Sequence, residues 1–524
     1  MNRENERLKN KILDLAIRGK LVPQDINDEP ASVLLEKIKQ ERKKLIAEKK
    51  IKQENYSEIY KNPTDNHYYE KFEDGTINDI TEEIPFEIPN TWCWVKINNI
   101  SEIYTGNSIP EEVKNSKYSN LNCGYNYIGT KDISFESTIN YNNGIKIPFD
   151  EVKFKKAYKN NTLLCIEGGS AGKKIGYLDE DVCFGNKLAT FNSWCINPKY
   201  LYYVLHSSIL RLFFDKNLTG IIGGVSINVL KKLIIPLPPI KEQEKIVFKI
   251  NNSFDYLFKK ENNENKILEL KTLLKSKILD LAIHGNLVKQ DKDNEPAELL
   301  INKILDEKRA LIKSKEIKKE NLSIIYKDSD NQFYEKFDDG KIINITEEIP
   351  FDIPKNWRWS RLSTICTKIV DGDHNPPQGQ NIQTEYIMLS AKNIQNNQLV
   401  NFSDARFLSK EDYDKGKQRI SLKEGDILLT IVGTLGRSCI YNDIEKNILF
   451  QRSVSVISTL INNNYLKFVF DSSYMQNKMQ KESTGTAQRG FYLNQLSNVL
   501  IPVPPIIEET LIINKLNKIL KTAE

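Results

Sequence analysis

The feature that most constrains this chain is that its framework is written twice. The stretch KILDLAIRGKLVPQDINDEPASVLLEKI from Lys11 returns as KILDLAIHGNLVKQDKDNEPAELLINKI from Lys277, a spacing of 266 residues. Further matches keep this spacing to within one residue: YEKFEDG from Tyr69 with YEKFDDG from Tyr334, EEIPFEIP from Glu82 with EEIPFDIP from Glu347, and LIIPLPPI from Leu233 with VLIPVPPI from Val499. Residues between these stretches match only in outline. Two copies of one frame therefore each carry a divergent module, which indicates a scaffold that presents two different recognition surfaces.

The modules and the frame differ in the sign of their charge. Counting Lys and Arg against Asp and Glu, modules 90–240 and 355–505 each carry +5. The frame carries −3 in residues 1–89, −2 in residues 241–354 and zero in residues 506–524. This difference in charge favours a polyanion as the partner of the modules and a different partner for the frame.

Composition excludes several classes of protein. No run of 18 apolar residues occurs, so we expect no membrane span and no membrane partner. The first residues, MNRENERLKN, are charged and lack the apolar core of a secretory signal. Seven cysteines without a CxxC pair suggest scattered reduced thiols. These features predict a cytoplasmic protein.

Each copy of the frame has the pattern of helix, turn, helix and hairpin. Leu8, Ile12 and Leu15 recur at helical spacing, and Gly19 is a typical C-terminal stop. A second helix is predicted to open near Asp28, with Pro30 in its first turn. The EDG and DDG sequences that end at Gly75 and Gly340 predict hairpin turns.

The central frame contains a much longer helical pattern, which follows PLPP at 236–239 and ends at Gly285. About 43 residues at roughly 1.5 Å per residue give a rod of about 65 Å. Its apolar residues form a near-heptad seam interrupted by two glutamates, Glu261 and Glu264. Residues 506–524 resemble the start of this rod. We expect that C-terminal helix to pack with the N-terminal helix and rebuild a second rod.

The modules have short β-rich patterns with Gly and Asn turns. Each ends in one helical stretch, 200–214 or 465–479, followed by a glycine-rich loop. The predicted fold class is α+β: two globular, β-rich domains with helices, separated by long antiparallel coiled-coil helices in a pseudo-two-fold repeat. The predicted boundaries are 1–83, 84–240, 241–348, 349–505 and 506–524.

Apparent catalytic motifs fail on inspection. GGSAGKK from Gly168 lacks the spacing of a phosphate-binding loop and has a second Lys where Ser or Thr is required. NPPQ from Asn375 has Gln where amino-methyltransferases carry an aromatic residue that stacks on the flipped base. The four histidines lie far apart, without metal-ligand spacing. The sequence therefore predicts no catalytic, cofactor or metal site in this chain.

What aligns between the modules is polar and basic. Amides, Lys and Arg on glycine-flanked loops suit contacts to base edges and phosphates, because glycines let a loop approach a groove closely. For any single side chain, a solvated surface group is an equally good interpretation. The candidate DNA contacts are Lys131, Lys173, Asn186, Lys187 and Ser226 in the first module, and His374, Lys392, Arg437, Gln451, Arg452, Gln488 and Arg489 in the second.

These patterns together resemble the specificity subunits of type I restriction-modification systems, and the likeness covers essentially the whole chain. The residues that carry it are LDLAIRGKLVPQ from Leu13 with DEPASVLLEKI, EEIPFEIPNTW before the first module, and IIPLPPIKEQEKIV at its end. One departure occurs at the second module end, where Ile506 to Glu509 reads IIEE against IKEQ in the first copy.

The resemblance implies a function and a set of partners. The modules would be target recognition domains, each reading one half of a split, asymmetric double-stranded DNA site. The helical regions would set the spacer and bind two modification subunits, and restriction subunits would join that core. S-adenosylmethionine, ATP and Mg would sit on those subunits, with none in this chain.

Three alternatives remain at the level of sequence. The chain could be an enzyme with an unrecognised site, which predicts methyl-donor turnover by the isolated chain. It could be a structural adaptor whose modules bind protein, which predicts no sequence-selective DNA binding. It could also be an inactive recognition cassette of the same fold.

Overall fold

The computed structural model describes residues 3–218, 223–442, 446–485 and 489–523. The chain divides into two compact units, Met1–Glu264 and Asn265–Glu524, with the boundary inside one long helix. Both units combine helices with several small sheets, which confirms the predicted α+β class. The five-part division made from the sequence is finer than these two units and remains a prediction.

Unit 1 begins with frame helices and a hairpin sheet, continues through the first module and ends in the long helix. Its elements are α1 (Arg3–Ile17), α2 (Ala31–Ala47), β1 (Ser57–Lys61), β2 (Tyr68–Phe72), β3 (Ile77–Asp79), β4 (Cys93–Lys96), α3 (Ile97–Ile100), β5 (Ser101–Thr105), α4 (Glu111–Val113), β6 (Tyr125–Ile128), β7 (Lys146–Ile147), β8 (Lys156–Ala157), β9 (Thr162–Cys165), β10 (Ile175–Tyr177), β11 (Val182–Phe184), β12 (Leu188–Ser193), α5 (Pro198–Leu205), α6 (Ser208–Asn217), α7 (Ile227–Leu230), β13 (Ile234–Leu237) and α8 (Ile240–Ile283), which continues into unit 2.

Unit 2 has the same order of frame elements after the end of α8, and its module differs from the first in several short elements. Its elements are α9 (Ala297–Lys313), β14 (Ser323–Lys327), β15 (Phe333–Phe337), β16 (Ile342–Asn344), β17 (Arg358–Arg361), β18 (Cys366–Asp371), β19 (Tyr386–Leu389), β20 (Ile394–Gln395), β21 (Gln398–Leu399), β22 (Arg406–Phe407), α10 (Lys410–Arg419), β23 (Ile427–Thr430), β24 (Ser438–Ile440), β25 (Asn447–Phe450), β26 (Val454–Thr459), α11 (Asn463–Asp471), α12 (Ser473–Glu482), α13 (Leu493–Ser497), β27 (Leu500–Val503) and α14 (Ile506–Ala523).

The local signals in the frame and the modules are mostly confirmed, with two corrections. The predicted hairpins are present as β2–β3 and β15–β16, and the long helix is a continuous 44 residues. Pro30, however, precedes α2 as its N-cap instead of lying in the first turn. The helical stretch that ends each module is two helices, because Ser207 and Ser472 interrupt it and their hydroxyls accept backbone N–H bonds at the start of the second helix.

The two modules share a topology although their sequences match only in outline. One sheet has the order β10-β9-β12-β5 in the first module and β24-β23-β26-β18 in the second. A second sheet is built on a parallel pair, β6 with β11 or β19 with β25. The modules diverge at the margins of that second sheet, because β8 pairs with β11 whereas β22 pairs with β19.

Each module stands on a two-stranded stem. The strand that leads in, β4, pairs antiparallel with the strand that leads out, β13, so that Trp94 faces Pro236. The second stem pairs β17 with β27 in the same way, and Trp359 faces Pro502. A module therefore begins and ends at one place on the frame, as an inserted cassette must.

A buried clamp joins each stem to the frame helices. Gly19 lies just after α1 and has a φ of +65°, and a Cβ there would lie 2.4 Å from Pro89. Beside it, the indole N–H of Trp92 donates to Glu242, at the start of α8, over 2.9 Å. In unit 2 the clamp recurs: Gly285 packs on Pro354, and Trp357 Nε1 donates to Glu508 over 2.7 Å.

The sequence departure at the second module end lies next to this clamp. In unit 1, Gln243 accepts the backbone N–H of Asn197 at 2.9 Å and donates its amide to the carbonyl of Pro238. In unit 2, Glu509 accepts the N–H of Asn462 over the same distance. The two side chains thus perform one task, but Glu509 brings a buried carboxyl, and this burial raises its pKa to about 7.

The free energy of unfolding of unit 2 should therefore fall as the pH rises from about 4.5 to 7. The reason is that Glu509 loses its proton at a higher pH in the folded state than in the unfolded state. Glu509→Gln should raise the free energy of unfolding at pH 8.5 by up to about 3 kcal/mol and leave it unchanged at pH 4. Chemical denaturation at both pH values measures this. The matched variant Gln243→Glu should have the opposite effect on unit 1, and equal stability of all three proteins at pH 8.5 would contradict the account.

Candidate DNA-recognition surface

Polar and basic side chains lie where the two parallel strands of each module end. Because β6 and β11 run parallel, the loops after them meet at one edge of their sheet. The N–H of Gly185 donates to the carbonyl of Ile128 over 2.9 Å, and Lys131, Asn186 and Lys187 follow on these loops. The edge thus brings together residues that are more than 50 positions apart in the sequence.

The second module builds the same edge from β19 and β25. Here the N–H of Gln451 donates to the carbonyl of Leu389 over 2.9 Å. Lys392 follows the first strand, and Gln451 and Arg452 follow the second. The pairs that the sequence comparison aligned therefore occupy equivalent places on equivalent strand ends.

A tight 3-10 turn presents the lysine in each module. In the first, the buried carboxylate of Asp132 accepts the N–H of Gly129 at 2.8 Å. In the second, the buried amide oxygen of Asn393 accepts the N–H of Ser390 at 3.0 Å. Asp and Asn are interchangeable here because both offer an acceptor oxygen to the turn. The turn leaves Lys131 and Lys392 exposed.

Two glycine-containing loops extend the edge in the first module. The N–H of Ile166 donates to the carbonyl of Lys187 at 3.0 Å, and the N–H of Val225 donates to the carbonyl of Ile166 at 2.9 Å. These bonds tie the loop after β9, which carries Lys173, to the loop that ends at Ser226. The hydroxyl of Ser226 also accepts the N–H of Val229 and so caps α7.

The second module joins the same loops by equivalent bonds. The N–H of Ile431 donates to the carbonyl of Ser453 at 2.9 Å, and the N–H of Phe491 donates to the carbonyl of Ile431 at 2.8 Å. The N–H of Gly433 also donates to the carbonyl of Arg489 at 3.0 Å. Arg437 follows on the first of these loops and is exposed, as is Arg489. Gln488 lies outside the described residues.

A fifth loop also lies at this edge. It follows β5 in the first module and β18 in the second. The N–H of Asn107 donates to the carbonyl of Phe184 at 2.9 Å, and the N–H of Asp373 donates to the carbonyl of Phe450 at 2.8 Å. In the second module His374 lies on the loop after β18, and its Nε2 lies 2.6 Å from Oδ2 of Asp371.

The fold also places residues at this edge that sequence comparison missed. The side chain of Asn107 accepts the N–H of Lys155 at 2.7 Å and contacts the carbonyl of Lys153, so these two exposed lysines lie beside the first edge. Lys174 donates to the carbonyl of Thr130 at 3.0 Å. The sequence did contain a signal for Lys174, because it is the second of two adjacent lysines at 173–174. Nothing local in the sequence marked Lys153 or Lys155, because their position depends on a contact across 46 residues.

Two titratable groups of the first module are uncharged at neutral pH. Burial lowers the pKa of His206 to about 4 and raises the pKa of Cys183 to about 11, so neither is charged at neutral pH. Among the described residues, no group of His, Cys, Asp and Glu could hold a metal ion. No helix in the described ranges is both long enough and apolar enough to cross a membrane.

Comparison with known proteins assigns the chain to a family. The family described as Type I restriction modification DNA specificity domain matches residues 89–271 and 354–524, one match for each module with its following helix. These matches cover more than half of the chain. The protein therefore belongs to this family, as a specificity subunit of a type I restriction-modification system that recognises DNA sequence.

Curated relatives agree over nearly the full length. The EcoAI specificity subunit of Escherichia coli is 25% identical over 99% of this chain and 89% of its own. The EcoEI specificity subunit, also from Escherichia coli, is 22% identical with the same coverage. A solved chain from a study of assembly and conformational transition in the type I R-M system is 16% identical, covers 84% of this chain and 92% of its own, and has a TM-score of 0.49. Specificity subunits are the non-catalytic component of these systems.

The joined loops give a prediction for the first module. A Cβ at Gly106 would lie 1.9 Å from the carbonyl oxygen of Phe184, so Gly106→Ala must force the loops apart at a cost of roughly 1–3 kcal/mol. DNA binding by the assembled complex should weaken at the half-site read by this module, as band-shift titration with altered half-sites would measure. Gly169→Ala, on the same edge but with no atom within 4 Å of its Cβ, is the control and should bind normally. Equal binding by both variants would contradict the joined-loop geometry.

Proposed function

We propose that the target recognition domains 84–240 and 349–505 each read one half of a bipartite, asymmetric double-stranded DNA site. The observation that carries this proposal is the repeated edge. Equivalent strand ends present Lys131, Asn186 and Lys187 in one domain, and Lys392, Gln451 and Arg452 in the other. An equivalent geometry with different side chains suits two domains that bind DNA alike but recognise different bases.

The chemistry of the two sets assigns roles within the edge. The amide of Asn186 or Gln451 can pair with adenine, and the guanidinium of Arg452 can make a bidentate contact with guanine. The exposed lysines and Arg437 suit phosphates, which position the domain without reading sequence. Ser226 is a weaker candidate because its hydroxyl already caps a helix.

The frame would act as a scaffold and would set the distance between the two recognition domains. In this proposal α8 pairs antiparallel with the rod that α14 and α1 rebuild, and the rods set the unread spacer. Several apolar side chains of α8 are exposed, which is costly in water and supports coverage by other subunits: Tyr256, Phe258, Ile267, Leu268, Leu270, Leu273 and Leu274.

The activities of the assembled complex would lie in other chains. Two modification subunits would supply adenine-N6 methylation with S-adenosylmethionine, and restriction subunits would supply ATP-dependent, Mg-dependent DNA cleavage. This chain would determine where both act. We place the complex in the cytoplasm, where its DNA substrate is found.

Sequencing of methylated adenines after co-expression with the cognate modification subunit tests the proposal. A split motif should appear only when this chain is present. Because β4 and β13 hold the module on a stem, residues 97–233 can be replaced by the equivalent segment of another family member, which should change one half of the motif and leave the other unchanged. A stable complex without any motif would favour an adaptor or an inactive cassette, and methylation by the isolated chain would favour an enzyme.

Single substitutions should separate reading from positioning. Arg452→Ala should cost roughly 1–3 kcal/mol at one base pair of the second half-site and relax specificity there. Lys392→Ala should weaken binding to all sequences alike and lower the salt dependence of binding. Binding titrations of the assembled complex, at several salt concentrations and on single-base variants of the site, measure both effects.

The control for these substitutions is Lys303→Ala, which removes an exposed cation from α9 in the frame. It should leave affinity, salt dependence and specificity unchanged. A loss as large as that of Arg452→Ala would show that general charge, not the edge, controls binding.

A further inference from the structure

The outer faces of the two hairpin sheets carry similar residues, although packing does not require this similarity. In β1–β2–β3, one face points inward and buries Ser57, Tyr68 and Glu70. Residues on that inward face are expected to match their copies in unit 2, because the two inward faces pack against similar frames. Most positions on the opposite face are exposed to water, and there the two copies were free to differ. Ile324 is an exception, because it is partly buried against the core of unit 2.

Four of the six outward positions nevertheless carry the same residue in both units. The strand register pairs Tyr60 with Tyr69 and Lys71 with Ile77 in unit 1. The equivalent residues in unit 2 are Tyr326, Tyr334, Lys336 and Ile342. The other two outward positions differ: Glu58 is replaced by Ile324 and Asp79 by Asn344.

The retained residues form the same exposed strip twice. The two tyrosines stack with ring centroids 5.9 Å apart in unit 1 and 5.8 Å apart in unit 2. Tyr60 and Tyr326 are 41% and 37% exposed, and Ile77 and Ile342 are 51% and 52% exposed. A cross-strand tyrosine pair can be kept for the stability of the sheet itself. That reason does not extend to an isoleucine that is half exposed at an edge strand.

The charge around the strip selects the kind of molecule that covers it. Residues 57–83 contain two lysines and eight acidic residues, of which Glu70 is buried, and residues 323–348 contain three lysines and seven acidic residues, of which Glu335 is buried. Such a surface repels DNA and complements a protein surface with an apolar centre and a basic rim.

We propose that each strip is a docking surface for one copy of the same protein, so that the chain binds two copies through its two hairpin sheets. This inference rests on the proposed function, in which that protein is the modification subunit, and it assigns part of the contact to the sheets in addition to the helices. Two similar surfaces in one chain provide two sites for the same protein without symmetry between separate chains.

The test uses the full chain co-expressed with the cognate modification subunit and counts copies by native mass spectrometry. Ile77→Glu should leave one modification subunit per chain, Ile342→Glu should also leave one, and the double variant should bind at least tenfold more weakly. Because both side chains are exposed, the thermal unfolding midpoint of each variant should stay unchanged.

Ile26→Glu is the matched control. Ile26 is a frame residue that is 94% exposed, and its position in the second copy is occupied by Lys292, so it does not belong to the repeated strip. This variant should bind two subunits. If the double variant Ile77→Glu, Ile342→Glu also retains two, the inference is overturned while the proposed function stands. If the wild-type chain binds no modification subunit, both are overturned.

Discussion

The structure depends on the contact between an indole N–H and a buried carboxylate that closes each half of the repeat. Trp92 with Glu242, and Trp357 with Glu508, join segments about 150 residues apart. Each bond ties the start of a module to the helix that follows its end. Because neither partner is well solvated, loss of one would leave the other without a hydrogen bond in a buried site. The clamp and the stem therefore fix the two ends of a module, and the exposed residues between these ends can differ from one module to the other.

That constraint explains how one chain can carry two different recognition surfaces. The stem fixes where a module leaves and rejoins the frame, and the parallel strands inside it fix where the recognition loops meet. Substitutions at Lys187 or Arg452 change the exposed edge without touching either constraint. Differences such as the placement of β8 and β22 are likewise confined to the margin of a sheet. The fold therefore separates the residues that hold the architecture from those at the exposed edge.

The sequence predicted the fold where the relevant signal was local or repeated. Gly19, Gly75 and the long apolar seam specified helix ends, a hairpin and a rod, and internal comparison aligned most of the candidate contacts. It missed the break at Ser207, since a serine inside an apolar helical pattern looks like a polar surface position until its hydroxyl is seen to cap the next helix. It also missed Lys153 and Lys155, because only the tertiary contact with Asn107 brings them to the edge.

The central claim is that equivalent edges of the two modules face opposite halves of one DNA site. The most direct measurement places a photo-crosslinking residue at position 187 or 452 of the chain, assembles the complex on its DNA site and maps the crosslinked nucleotides. The account predicts crosslinks from position 187 in one half-site and from position 452 in the other, with none in the spacer between them. Crosslinks from both positions to the same half-site, or only to the spacer, would contradict it.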